Sequence, residues 1–238
     1  MIFPIVLLVG GAGVIFYLSA TNFDTPPVHE PDLPPAPGST RYKLVDAILP
    51  ELQKASAASG VPLGLLVGWV AKESGGKIGE VTRLDERGLF QLMPDESKRL
   101  GLDHQRLSTD LVYSINAGLL LIATYMKDVD ALGVAAKGST YYWLLVKLAH
   151  TMGVGAMDKI VAAAKASGQA GSWSALESYA LANNAALLSA TKHSPSKWFP
   201  FIDALYDVGA PFGFGSADTV VGGVVYDDIV DPIDCLKA

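Results

Sequence analysis

From residue 42 to about residue 208, apolar side chains recur every three to four positions, which commits the body of the chain to helices. Leu44, Val45, Ile48, Leu49 and Leu52 set the pattern, and Pro50 is expected to kink or divide the first helix. Gly60 ends that helix, and Pro62 suits the first turn of the next, PLGLLVGWVAKES. Further helices are expected at 108–128, 140–152, 155–167, 173–190 (with a Ser174-x-x-Glu177 capping box) and 197–208. Strand signal is scarce before residue 218. The fold class is mainly α.

Both ends differ from this body. Residues 1–20 carry no charged side chain, and as a helix they would reach about 30 Å, the thickness of a bilayer core. A cleaved signal peptide is the competing reading, with Leu18-Ser19-Ala20 as a passable cleavage site. The missing basic n-region and the length of the apolar run favour a retained transmembrane segment. Residues 21–40 hold six prolines, which makes an extended spacer of up to roughly 50–60 Å. Residues 41–170 then form the main domain and 171–210 a helical extension. The last stretch, 211–238, is rich in Gly and Asp, and TVVGGVVY at 219–226 reads as a short β-hairpin. An isolated hairpin is marginal in water, so this tail is expected to dock on a partner subunit or on its own domain.

Half of the 238 residues are hydrophobic, enough to bury one sizeable core. The net charge is −6, but its distribution is uneven. Residues 1–40 contribute Asp24, Glu30 and Asp32 with no cation, and 211–238 contribute five Asp against Lys237. The middle is therefore close to neutral, compatible with a polyanionic polymer but lacking the basic face that nucleic acid requires. A single cysteine, Cys235, excludes an intramolecular disulfide framework. The four histidines are far apart in sequence, so no metal or other cofactor is expected.

Glu73 stands out chemically. It closes an apolar helix, four residues after Trp69 and three after Val70, so it shares their face. A carboxyl set against Trp and Val is poorly solvated as an anion, the setting of a general acid in glycoside cleavage. A helix-end Glu turned into water is the plain alternative.

Fifteen residues beyond Glu73-Ser74 comes Gly88-Leu89-Phe90-Gln91-Leu92-Met93-Pro94. This pair of motifs, with eighteen residues from Glu to Gln, resembles the lytic transglycosylase domain of the soluble-transglycosylase and goose-type-lysozyme-like superfamily. The family's Asn-Ile-x-x-Gly helix has its counterpart in Ser114-Ile115-Asn116-Ala117-Gly118. Its Ala-Tyr-Asn-Ala-Gly-x-Gly segment corresponds to Ala149-His150-Thr151-Met152-Gly153-Val154-Gly155, which keeps the Ala and both Gly. The resemblance covers about residues 42–165.

The resemblance implies a lysozyme-like fold with Glu73 as the single catalytic acid/base. It makes Ser74 a hydrogen-bonding support for Glu73 or for a sugar N-acetyl group, and Gln91 a sugar-binding residue across the cleft. Met93 fits either a subsite wall or ordinary core. His150 and Thr151 stand where the family has Tyr and Asn; a His there still donates a hydrogen bond but brings its own titration. The implied reaction cleaves the β-1,4 bond between N-acetylmuramic acid and N-acetylglucosamine and leaves a 1,6-anhydro ring. Hydrolysis would need a second carboxylate. Asp85 or Glu86 could supply one, though both fit a solvated turn beside Arg83 and Arg87.

The leading expectation is a membrane-anchored peptidoglycan lytic transglycosylase whose catalytic domain faces the periplasm or cell wall. The alternative is a virion or envelope-machine component whose lysozyme-like domain mainly binds peptidoglycan. The degenerate third and fourth motifs and the acidic tail favour that alternative.

Overall fold

The computed structural model describes residues 42–215. The apolar segment 1–20, the spacer 21–40 and the hairpin expected at 219–226 lie outside the described residues. Nine α-helices carry the fold among the described residues: α1 (Lys43–Ser59), α2 (Leu63–Glu73), α3 (Pro94–Arg99), α4 (Leu111–Leu132), α5 (Thr140–Met152), α6 (Val154–Ala166), α7 (Trp173–Ala182), α8 (Asn184–Thr191) and α9 (Pro195–Gly209). None of the described helices is long and apolar enough to cross a membrane. Between α2 and α3 the chain makes only two isolated β-bridges, Val81 with Arg87 and Arg87 with Leu92.

Helix α2 is the centre of the core. Every residue from Gly64 to Ala71 is buried. It packs against α1 on one side and α9 on the other, while α5 is flanked by α4, α6 and α9. A helix apolar on nearly all faces is stable only when surrounded in this way.

Several local expectations need correction. Pro50 neither divides nor ends α1; it sits inside one continuous 17-residue helix, on the exposed side. The Asp46 carbonyl that loses its donor there is on the half-exposed flank, where water can replace the bond. The helix expected at 173–190 is two helices, interrupted at Asn183, whose side-chain amide donates to the Tyr179 carbonyl at 2.8 Å. The N-cap of α7 is Ser172, whose hydroxyl accepts from the Ala175 N–H, so the Ser174–Glu177 capping box does not form. Helix α3 was not expected; its entry is fixed by Pro94 at the first turn and by Glu96, which accepts from the Met93 N–H at 2.9 Å.

Glu177 is used for a tertiary contact instead. It faces Asp203 on α9, and Asp203 also accepts from the Trp173 indole N–H at 2.8 Å. Partial burial, then the hydrogen bond and charge of Asp203, push the Glu177 carboxyl up to about 7. The unfolded chain ionises this group near 4.5, so between these values the folded state holds the extra proton. The resulting stability is fully present below the lower value and is lost as pH rises through about 7. The melting temperature should therefore fall between about pH 5 and about pH 8. Glu177→Gln should flatten that fall, which melts of both proteins at the two pH values would read.

Candidate active site

The site begins with a clamp on the backbone of the 88–94 loop. The Ser74 hydroxyl, at the C-cap of α2, donates to the Leu89 carbonyl at 3.0 Å and lies 3.2 Å from the Val70 carbonyl. From the opposite side, the Ser114 hydroxyl in α4 accepts from the Leu89 N–H at 2.9 Å. Two motif serines thus hold one peptide unit. Gly118, one turn further along α4, faces the Phe90 ring so closely that any Cβ would overlap it. The spacing between motifs is therefore the spacing of one packing arrangement: α2, the loop and α4 locked through Leu89 and Phe90.

That lock sets Gln91. Its backbone is left-handed, φ 51°, a conformation that costs a non-glycine residue about 1–3 kcal/mol and persists where the surroundings over-determine it. The Gln91 side-chain amide donates to the Gly88 carbonyl at 2.7 Å, while its Oε1 is buried with no protein partner. Thr151 Oγ1 is likewise buried and without a partner. Buried polar atoms left open in this way are suited to a ligand or to water.

Glu73, Gln91, Met93, His150 and Thr151 line one pocket of about 230 Å³. Met93 is 36% exposed at its rim, so of its two readings the structure excludes ordinary core. Ser74 does not line the pocket; it is buried and its hydroxyl is engaged by the clamp. Asp85 pairs with Arg87 at 2.7 Å and lies outside the lining, whereas Glu86 lies within it and accepts from the Thr82 hydroxyl at 2.7 Å.

Sequence reasoning missed four lining or supporting groups. Glu96 lines the pocket and accepts from the Tyr125 hydroxyl at 2.8 Å. Trp198 and Phe201, both on α9, form an aromatic wall with their rings edge to face. The fourth is Lys147. It is completely buried in α5, and its ammonium donates to Glu73 Oε1. The Lys147 Nζ also lies 3.1 Å from His150 Nδ1 and 4.4 Å from the centroid of the Trp69 ring. A lysine three residues before His150, alone in the apolar run YYWLLVKLAH, is the signal that could have drawn attention to it.

Burial and the neighbouring Lys147 charge hold His150 well below the usual histidine range. His150 is therefore neutral at physiological pH, and the titration expected near pH 6–7 does not occur there. Its Nδ1 accepts from Lys147, and its ring packs on Trp69 at 5.1 Å and edge-on to Tyr125 at 5.8 Å. Among the described residues no group of three or more His, Asp or Glu gathers to hold a metal ion.

The model of the Transglycosylase SLT domain family matches residues 51–171. The chain belongs to that family. A search of curated proteins returns no match. Membership in the SLT family supports peptidoglycan as the substrate and lytic transglycosylase activity in general. The SLT match ends before α7, so the aromatic wall from α9 is supplied from outside it.

Proposed function

We propose that this SLT domain cleaves the β-1,4 bond between N-acetylmuramic acid and N-acetylglucosamine with Glu73 as its single acid/base. Glu73 protonates the glycosidic oxygen as the C1–O bond breaks. The resulting carboxylate then takes the proton from the 6-hydroxyl of the same muramic residue, whose oxygen closes on C1. The product is a 1,6-anhydro ring, no water is consumed, and the Glu73 proton is restored. Gln91 Oε1 and Thr151 Oγ1, both buried without protein partners, offer positions for polar groups of the sugar. Met93, Trp198 and Phe201 offer apolar contact. The observation that carries the reading is the convergence of Glu73, Gln91, His150 and Thr151, from separate motifs, on one pocket.

A hydrolytic reading has one specific observation in its favour: Glu86 and Glu96 line the same pocket as Glu73. Either would have to activate a water, yet Glu86 is held by Thr82 and Glu96 by Tyr125 and the Met93 N–H. A binding role without catalysis is supported by the ammonium seated on Glu73. Incubating the full chain with purified sacculi separates catalysis from binding. Catalysis releases soluble muropeptides, whereas a binding module leaves the glycan in the pellet with the protein attached.

For placement, we read residues 1–20 as a membrane segment and 21–40 as the spacer that carries the catalytic domain out to the wall. The 211–238 tail is the docking segment for an envelope or virion subunit. The support is the uncharged run, the prolines and the valine-rich tail.

A further inference from the structure

Lys147 presents a contradiction that the proposed reaction does not resolve. A general acid must begin the reaction protonated, yet Glu73 accepts a hydrogen bond from a buried ammonium. An ammonium taken out of water is retained where it is paired and its donors are satisfied. Lys147 meets this condition with three partners suited to a cation: the Glu73 carboxylate, His150 Nδ1 at 3.1 Å and the Trp69 ring face at 4.4 Å. The Phe201 ring lies on another side at 5.5 Å.

The surrounding charges agree. Glu73 faces Lys147 from α2, and Glu96 from α3 acts on it through space to favour its charge. His150, on its own helix, is neutral and can only accept through Nδ1. Burial pulls Lys147 down from the ordinary lysine range, and Glu73 opposes that pull. With a carboxylate in contact, the ammonium is the form these neighbours support.

We propose that Lys147 is a positioning residue that holds Glu73 ionised and fixed in the empty cleft, so that solvent must deliver a proton against this pair before cleavage begins. The inference rests on Glu73 being the acid. It confines cleavage to the acid side of the pH range. It also assists the step itself: once Glu73 passes its proton to the glycosidic oxygen, the new carboxylate faces a cation already in place. Lys147 keeps its three protons throughout, and the only proton moved is the one on Glu73.

The test uses the full chain and the variants Lys147→Met and Lys147→Gln, both uncharged and close in length. If one fails to fold, the other carries the measurement. In the parent, the rate of sacculus digestion should fall as pH rises. In the variants the falling limb should move upward by about 1–3 pH units, the scale of a contact between opposite charges. The plateau at low pH should drop, so the two profiles cross. A limb that stays in place in a folded variant overturns the proposal. A second readout needs no activity: infrared titration of the Glu73 carboxyl, isolated by difference against Glu73→Gln. Its midpoint should rise in both variants, and an unmoved midpoint overturns the inference whatever the rates. A parent that digests no sacculi at any pH, with the infrared shift present, would instead remove the transglycosylase reading.

Discussion

Glu73→Gln is expected to lower the release of soluble muropeptides by at least about a thousandfold, because the amide neither donates the proton nor retakes it. The substitution should also destabilise the fold, which the motif alone would not suggest. Lys147 is fully buried, and removing one partner of a buried pair costs about 3–5 kcal/mol. Here the cost should sit at or below the low end, about 3 kcal/mol, since the Glu73 side chain keeps 18% exposure and Gln still accepts the hydrogen bond. For a domain of this size that is a drop of roughly 6–12 °C in melting temperature. The double variant Glu73→Gln with Lys147→Met leaves no unpaired charge. It should recover much of the stability and none of the activity. Melts and digestion rates on the three proteins separate the two effects.

The second large effect concerns the crossing of α2 and α9. Gly64 and Gly68 lie inside an 11-residue helix, where each costs roughly 0.5–1 kcal/mol relative to Ala. The structure shows why they are there. A Cβ at Gly64 would fall on the Gly209 carbonyl oxygen, and one at Gly68 on the Leu205 carbonyl oxygen, both backbone atoms of α9. Neither can yield without moving the helix. Gly64→Val should therefore cost about 3 kcal/mol, at the upper end for overpacking, and lower the melting temperature by roughly 6–12 °C. Digestion should also fall, since α9 carries Trp198 and Phe201 into the pocket beside Glu73. Gly155→Ala in α6 is the control: nothing lies within 4 Å of its Cβ position, and it should stabilise by about 0.5–1 kcal/mol.

The helical body and the pocket motifs were legible in the sequence because both depend on local spacing. Glu73 follows an apolar helix face, and the eighteen-residue interval to Gln91 reflects one loop pinned between Ser74 and Ser114. What stayed hidden depends on tertiary approach. Lys147 is an ordinary helix residue until α2 and α9 close over it with Trp69, Glu73 and Phe201. The aromatic wall was hidden because no local pattern states that α9 packs on α2; the two glycines in α2 are its one trace in sequence. The break at Asn183 was overlooked because the apolar periodicity runs across it.

The central claim is that one carboxyl, Glu73, performs both proton transfers without water. Mass spectrometry of the soluble muropeptides released by the full chain tests it most directly. The account predicts glycan fragments ending in 1,6-anhydro-N-acetylmuramic acid, formed from the start of digestion and lost together with activity in Glu73→Gln. Fragments ending in a free reducing sugar, heavier by one water, would contradict it and assign Glu86 or Glu96 the task of activating that water.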